Sequence, residues 1–301
     1  VLGVEASRTT TCYRHPERTT GVSCQRCSRP ICPACMVPAS VGYHCPECVR
    51  SSGSKVINPL RTQVEPTATK VLIGVNVAMF VAMIASGSTA TGISGDLARQ
   101  LWLIGADGFF SPRTGIVVID GGVAGGEYWR LITGGFLHGG LMHLGFNMFV
   151  LWILGSMLEP VLGRVRFVAL YFTALLAGSA GALLIQPMTP TVGASGAVFG
   201  LMGAAVMYQR SQGINPMRSG LGTLIIINLF ISLLPGISLG GHLGGLVGGV
   251  IAGLAVFTIE RRTQNVWVPV AACTVMSVAF AAIGVWAAHQ WADPALGFLS
   301  F

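Results

Sequence analysis

Charge is what this sequence lacks. Of its 301 residues only 18 are Lys or Arg and 11 Asp or Glu, 10% in all, against about 25% in a soluble domain. So few charges cannot cover the surface of a soluble protein of this size. With 52% hydrophobic residues, disorder is excluded as well, because a disordered chain needs low hydrophobicity. Cysteine is almost missing from most of the chain: after Cys48 there is only Cys273. No His-Glu-x-x-His occurs, so the common zinc-protease signature is absent. No basic stretch precedes an apolar run at the start, so no signal peptide is expected. What remains, with a mean hydropathy of +0.68, reads as a polytopic membrane protein.

Seven of the eight cysteines lie between Cys12 and Cys48. Residues 1–70 hold nine basic and four acidic residues, and residues 71–301 hold nine and seven. A small, polar, Cys-dense head therefore precedes a membrane body. Seven apolar stretches approach the roughly 20 residues needed to cross a bilayer: about 70–86, 136–158, 165–186, 195–209, 221–235, 242–259 and 266–288. The turns between them are short except for 88–130, which carries apolar pieces of its own and is expected to be functional. Basic residues favour the cytoplasmic side. A cytoplasmic N-terminus collects Lys70, Arg164, Arg166, Arg210, Arg218, Arg261 and Arg262 inside, while the outer turns 187–192 and 236–241 carry no charge.

Two spans are short. Ser195–Gln209 has fifteen residues and His242–Ile259 eighteen, about 22 and 27 Å at 1.5 Å per residue. Their outer ends are expected to sink below the outer surface and to line water, because irregular backbone at that depth is tolerated only there or buried in protein. His138, His143 and Asn147 stand at the outer start of the second span, Ser195 and His242 at the starts of the fourth and sixth. Polar groups inside a membrane are functional by default, and His143 and Asn147, four apart, share a helix face.

Gly193-Ala194-Ser195-Gly196 is weak as a string, since Gly92-Ile93-Ser94-Gly95 repeats it. Context separates them, because Ser195 opens a helix whose N-terminus offers free N–H donors and a positive dipole end. Small residues spaced by four, Gly196, Gly200 and Ala204 against Gly241, Gly245, Gly249 and Gly253, let two membrane helices approach closely. Facing stripes bring Ser195 to His242, where a neutral imidazole can activate the hydroxyl. No carboxylate lies near them in either span, so a dyad without an acidic third member is expected. His138 is expected to be structural, and Cys273 and His289 inert.

The head reads Cys12-x2-His15-x8-Cys24-x2-Cys27-x4-Cys32-x2-Cys35-x9-Cys45-x2-Cys48. Eight ligands in x2 pairs suffice for two tetrahedral zincs, and in a reducing cytoplasm such spacing means metal and not disulfides. His44 abuts Cys45 and is a weaker ligand candidate. Residues 51–69, with their Ser, Gly and Pro, read as a flexible linker.

The membrane body resembles the rhomboid family of intramembrane serine proteases. The resemblance rests on His138-Gly-Gly-Leu-Met-His143-Leu-Gly-Phe-Asn147, Gly193-Ala-Ser195-Gly196, His242-Leu-Gly-Gly245-Leu-Val-Gly-Gly249 and, in the long loop, Glu127-Tyr128-Trp129-Arg130. It implies Ser195 as nucleophile and His242 as general base and then acid. It also implies an oxyanion hole from His143, Asn147 and the Ser195 N–H, and Phe199 packed on the catalytic His. The long loop would lie in the outer leaflet, and the fifth span would gate substrate laterally. The head resembles B-box-like fingers, which implies Cys12, His15, Cys32 and Cys35 at one zinc and Cys24, Cys27, Cys45 and Cys48 at the other.

The expected protein is thus an all-α polytopic membrane protein. It has a zinc finger (1–50), a linker (51–69), a six-transmembrane rhomboid core (70–260), and a seventh transmembrane helix with a short external tail (261–301). It would sit in the plasma (inner) membrane with its active site opening outward, cleave transmembrane protein substrates, hold two structural Zn²⁺ and need no catalytic cofactor. The head would meet a protein partner, and nucleic acid is not expected. The rival reading is a rhomboid-like protein that binds membrane helices without cutting them.

Overall fold

A computed structural model describes residues 10–39, 42–51, 65–111, 116–263 and 265–292. The chain divides into two compact units, Val1–Val64 and Glu65–Phe301. Most of the expected linker 51–69 and the tail after residue 292 lie outside the described residues.

The first unit has almost no apolar material to bury. It folds as two short hairpins, β1 (Thr10–Thr11) with β2 (Thr19–Thr20) and β3 (Val37–Pro38) with β4 (Tyr43–His44), followed by helix α1 (Pro46–Ser51). Its buried hydrophobic cluster consists of Ile31 and six cysteines, with Cys27 packed at the edge. A unit this small cannot be held by so little aliphatic surface and needs metal or crosslinks.

The second unit is mostly helical. Helix α2 (Thr67–Ala85) begins inside the expected linker. Its first N–H groups have no intrahelical partner, and Glu159 supplies one from elsewhere. That wholly buried carboxylate accepts from the Ala68 and Thr69 N–H groups, both at 2.8 Å, and from Thr69 Oγ1 at 2.7 Å.

The long segment after α2 departs from the all-α expectation. It forms α3 (Asp96–Leu101), an antiparallel hairpin of β5 (Asp107–Ser111) and β6 (Ile116–Gly121), and the short α4 (Arg130–Thr133). Ile116-Val117-Val118-Ile119 is a β-branched run that favours a strand. Arg130 ties the segment together. Buried to 4% exposure, it bonds Glu127 at 2.7 Å and donates to the carbonyls of Arg99 (2.5 Å) and Trp102 (2.9 Å).

Six helices follow: α5 (Leu141–Leu162), α6 (Arg164–Ile185), α7 (Ser195–Ser211), α8 (Leu221–Ile231), α9 (Leu239–Glu260) and α10 (Trp267–Ala292). Among the described residues, five helices are long and apolar enough to cross a membrane: α2, α5, α6, α9 and α10. The second expected span, 136–158, is the helix Leu141–Leu162, so His138 precedes it, and the fourth is the 17-residue α7, which is not among the five. Two more differ. The eighteen-residue span from His242 is a 22-residue helix, because Ser238 caps it three residues earlier, its side chain accepting from the Gly241 N–H. The stretch 221–235 yields only 11 helical residues. It stops at Ile231, where the turn through Pro235 and Gly236 begins, with Gly236 at φ +81°.

The small-residue stripes meet. A Cβ on Gly245 would strike the carbonyl of Gly196, one on Gly249 the carbonyl of Gly200, and one on Gly253 would lie 2.8 Å from Ala204 Cα. A third helix joins them: a Cβ on Gly178 of α6 would lie 2.9 Å from Gly196 Cα, and one on Gly181 would strike Gly240. The polarity of this unit is inverted. Phe146, Phe149, Phe230 and Val278 are exposed, while Asn76, Glu159, Thr173 and Ser232 are buried. Such a surface suits lipid, where polar groups must be satisfied inside the protein.

Candidate active site

Helix α7 starts at Ser195, so that residue carries both a hydroxyl and one of the unpaired N–H groups of a helix N-terminus. Gly193 precedes it at φ +122°, a conformation L side chains rarely adopt, and a Cβ there would lie 2.8 Å from the His143 ring. Glycine is therefore what lets His143 approach the start of α7. The tight α7–α9 contact carries His242, in the first turn of α9, to the same place. Its Nε2 stands 2.8 Å from Ser195 Oγ. Phe199, one turn along α7, stacks on the imidazole with centroids 4.2 Å apart and planes at 17°. On the far side of the ring, Ser232 Oγ lies 2.5 Å from His242 Nδ1.

His143 and Asn147 project from the first turns of α5. The Gly139 N–H faces His143 Nδ1 at 3.3 Å. A backbone N–H can only donate, so Nδ1 holds a lone pair and the neutral ring carries its proton on Nε2. The Cε1–Nε2 edge of the ring is what lies against Gly193. Asn147 donates one amide N–H to the His143 carbonyl at 2.9 Å, which orients the amide and leaves its second N–H free to turn to the cavity. His138 does not line the cavity. It is buried and meets His143 edge-on, centroids 5.2 Å apart.

These groups share a cavity of about 360 Å³ between α5, α7, α8 and the start of α9. Met142, Phe146, Val150 and Ile231 form apolar walls, and His143, Asn147, Ser195 and His242 form its polar end. Ser94, in the repeated Gly-x-Ser-Gly string, lies elsewhere, its Oγ donating to the Gly87 carbonyl at 2.7 Å. Cys273 is buried and His289 exposed, both on α10 away from the cavity.

Residues 125–259 match the Rhomboid domain. The chain is 40% identical over 111 residues to "Rhomboid protease GluP" of Bacillus subtilis (strain 168), an alignment covering 37% of this chain and 22% of GluP. It is 32% identical over 195 residues to "RHOMBOID-like protein 6, mitochondrial" of Arabidopsis thaliana, covering 58% of this chain and 63% of that protein. It is also 33% identical over 115 residues to "Inactive RHOMBOID-like protein 8" of the same plant, covering 36% and 32%. The chain thus spans less than two thirds of each of these relatives. Over residues 125–259 the chain is thus similar to rhomboid-domain proteins, some named as proteases and one as inactive.

The rhomboid match begins just before Glu127 and ends at Ile259, so it contains Ser195, His242, His143, Asn147 and Phe199. It also contains two groups that spacing does not reveal. Ser232 is a serine ten residues before His242 with no motif around it. Glu159 carries a clearer signal, a lone carboxylate at the end of an apolar run.

The cysteine unit lies outside the rhomboid match. Its ligand atoms gather as Cys12, His15, Cys32 and Cys35 in one cluster and Cys24, Cys27, Cys45 and Cys48 in the other, each within 4.8 Å of its fellows. His44 belongs to neither. His15 Nδ1 stands 3.8, 3.4 and 3.3 Å from the sulfurs of Cys12, Cys32 and Cys35, and Cys27 and Cys45 sulfurs are 3.7 Å apart. Zinc at roughly 2.3 Å from sulfur and 2.0–2.1 Å from nitrogen makes a tetrahedron with edges of about 3.6–3.8 Å, so both clusters fit such an ion. The Arg29 guanidinium, bonding Cys27 Sγ at 3.4 Å, holds that thiol down to about 6. Cys48, bonded to the Cys45 side chain, is pushed up to about 12.

Proposed function

We propose that this chain is an intramembrane serine endopeptidase that cuts transmembrane segments of other membrane proteins. The observation that carries this reading is the 2.8 Å contact between Ser195 Oγ and His242 Nε2, set at a helix N-terminus at the end of an apolar cavity. His242 Nε2 takes the hydroxyl proton as Oγ attacks the scissile carbonyl carbon. The charge that develops on the carbonyl oxygen is met by the Ser195 N–H, His143 Nε2–H and the free Asn147 N–H. Collapse breaks the C–N bond, and the leaving amine takes the proton from His242. Water, deprotonated by Nε2, then hydrolyses the ester on Ser195 and frees the new carboxylate.

The apolar walls suit a hydrophobic segment that has unwound enough to expose a peptide carbonyl. By its resemblance, the family implies small residues at the cut and lateral passage beside α8. The reading includes a six-helix core over 70–260 with α10 as a seventh span, the cysteine unit on the cytoplasmic side, and the active site opening to the outer side of the plasma membrane. It assigns two structural Zn²⁺ to the two clusters, each held by the four residues gathered there. Zinc would replace the missing apolar core of that unit, whose partner would be a protein.

The test is cleavage of a model transmembrane substrate in proteoliposomes. Wild type should cut, and Ser195→Ala and His242→Ala should each lose more than about 10³-fold in kcat. Equal cleavage by all three would overturn the dyad. Substrate binding by a wild type that never cuts would favour the reading as a helix-binding rhomboid relative.

A further inference from the structure

Histidine can serve as a base toward Ser195 only if Nε2 holds a lone pair, which requires the neutral ring to carry its proton on Nδ1. In a triad protease a buried carboxylate sets that tautomer. Among the described residues, no carboxylate lines the cavity. The group that meets Nδ1 is the hydroxyl of Ser232, just beyond the last residue of α8, 2% exposed and 2.5 Å away.

A hydroxyl has a single proton, and Ser232 has two close partners. Besides Nδ1 it faces the Asn228 backbone carbonyl at 2.7 Å. That carbonyl is acceptor-only, so Ser232 Oγ–H must donate to it. This is the back-bond from a helical serine to the residue four earlier. The proton being committed there, Ser232 can only accept from the imidazole. The opposite assignment, Oγ–H donating to Nδ1, would set two oxygen lone pairs 2.7 Å apart with no hydrogen between them. One arrangement satisfies all three contacts: Ser195 Oγ–H donates to Nε2, Nδ1–H donates to Ser232, and Ser232 donates to the Asn228 carbonyl.

Resting on the proposed dyad, we infer that Ser232 is the positioning residue of this active site, holding His242 in the Nδ1–H tautomer in place of a carboxylate. Phe199 fixes the plane of the ring, and Ser232 fixes which of its nitrogens is bare. The same hydroxyl supports the imidazolium that forms when Nε2 takes the serine proton, since a charged ring donates more strongly from Nδ1. Being neutral, Ser232 does this without placing a second charge in the buried site.

The test uses the full chain reconstituted in proteoliposomes, with Ser232→Ala, Ser232→Thr and Ser232→Cys. Ser232→Ala removes the acceptor and should lower kcat about tenfold, the order set by one net neutral hydrogen bond, with KM within about twofold. Ser232→Thr keeps the hydroxyl and should restore most of the rate. Ser232→Cys keeps the volume but accepts weakly. It should resemble Ser232→Ala, and replaces it should Ser232→Ala unfold on heating below the assay temperature. The direct readout is the ¹⁵N spectrum of His242, assigned by its loss in His242→Asn. The wild type should show a protonated Nδ1 and a bare Nε2, and Ser232→Ala a mixture of tautomers. A wild-type kcat and an unchanged tautomer in Ser232→Ala would overturn the inference, as would a Thr variant as slow as Ala. A wild type that shows the Nδ1–H tautomer yet never cuts would overturn the protease reading and leave the Ser232 assignment standing.

Discussion

At the scale of single residues, the site is a set of assigned protons. Gly139 donates to His143 Nδ1, which places a proton on Nε2, and Asn147 spends one amide N–H on the His143 carbonyl. Both therefore present donors to the cavity and no competing acceptor at those atoms. Donors aimed at an oxyanion act when the charge develops and hardly before. Asn147→Ala is thus expected to lower kcat by roughly 10²-fold while KM moves less than about threefold, measured with the same substrate. A change confined to KM would mean that Asn147 holds the substrate and not the oxyanion. Ser195, His242, His143 and Asn147 were legible in the sequence because polar groups stand out against so apolar a body. Ser232 was not, because its meaning lies in one contact across two helices, and a serine at the end of a membrane helix is otherwise unremarked.

At the scale of elements, precision comes from glycine. The α7–α9 and α6–α7 contacts are close enough that a single methyl group has nowhere to go at Gly249 or Gly178. The distance between Ser195 and His242 is set by that contact, so a methyl at Gly249, two turns from His242, reaches the chemistry through the packing. Gly249→Ala should lower thermal stability by the 1–3 kcal/mol typical of an overpacked core and slow cleavage as well. Gly74→Ala, on the open face of α2 where nothing lies within 4 Å, is the control and should be neutral or slightly stabilising. Thermal unfolding in detergent, followed alongside cleavage, distinguishes them, and equal effects of the two substitutions would contradict the packing account. The two stripes were readable from spacing and their facing was a condition that the packing meets, whereas the third partner, α6, was not, since Gly178 and Gly181 are three apart and carry no obvious period. Helix ends were the least legible feature. Ser238 moved the start of α9 to Leu239, and the turn at Pro235 and Gly236 cut α8 short, and both depend on local capping that hydropathy does not register.

At the scale of the whole molecule, two units keep their shape by opposite means. The membrane unit hides Glu159, Asn76 and Thr173 and exposes Phe146, Phe230 and Val278, so its interior must satisfy polar groups, as Glu159 does at the start of α2. The cysteine unit buries cysteines and one isoleucine, and its two Cys/His clusters could each hold a metal ion, which is the proposed replacement for an apolar core. If both clusters are filled, metal analysis should find two zincs per chain. Ligation needs deprotonated thiols, so acid and a strong chelator should both release the metal and unfold residues 10–51. Every residue assigned to the chemistry lies in the membrane unit, and the His143–Asn147–Ser195–His242 set includes none of the eight zinc-ligand candidates. Chelation is therefore expected to leave cleavage of a transmembrane substrate within about twofold while circular dichroism and zinc content report loss of the head. Cleavage falling in step with zinc would show that the head governs the protease, and one zinc per chain would break the two-cluster assignment.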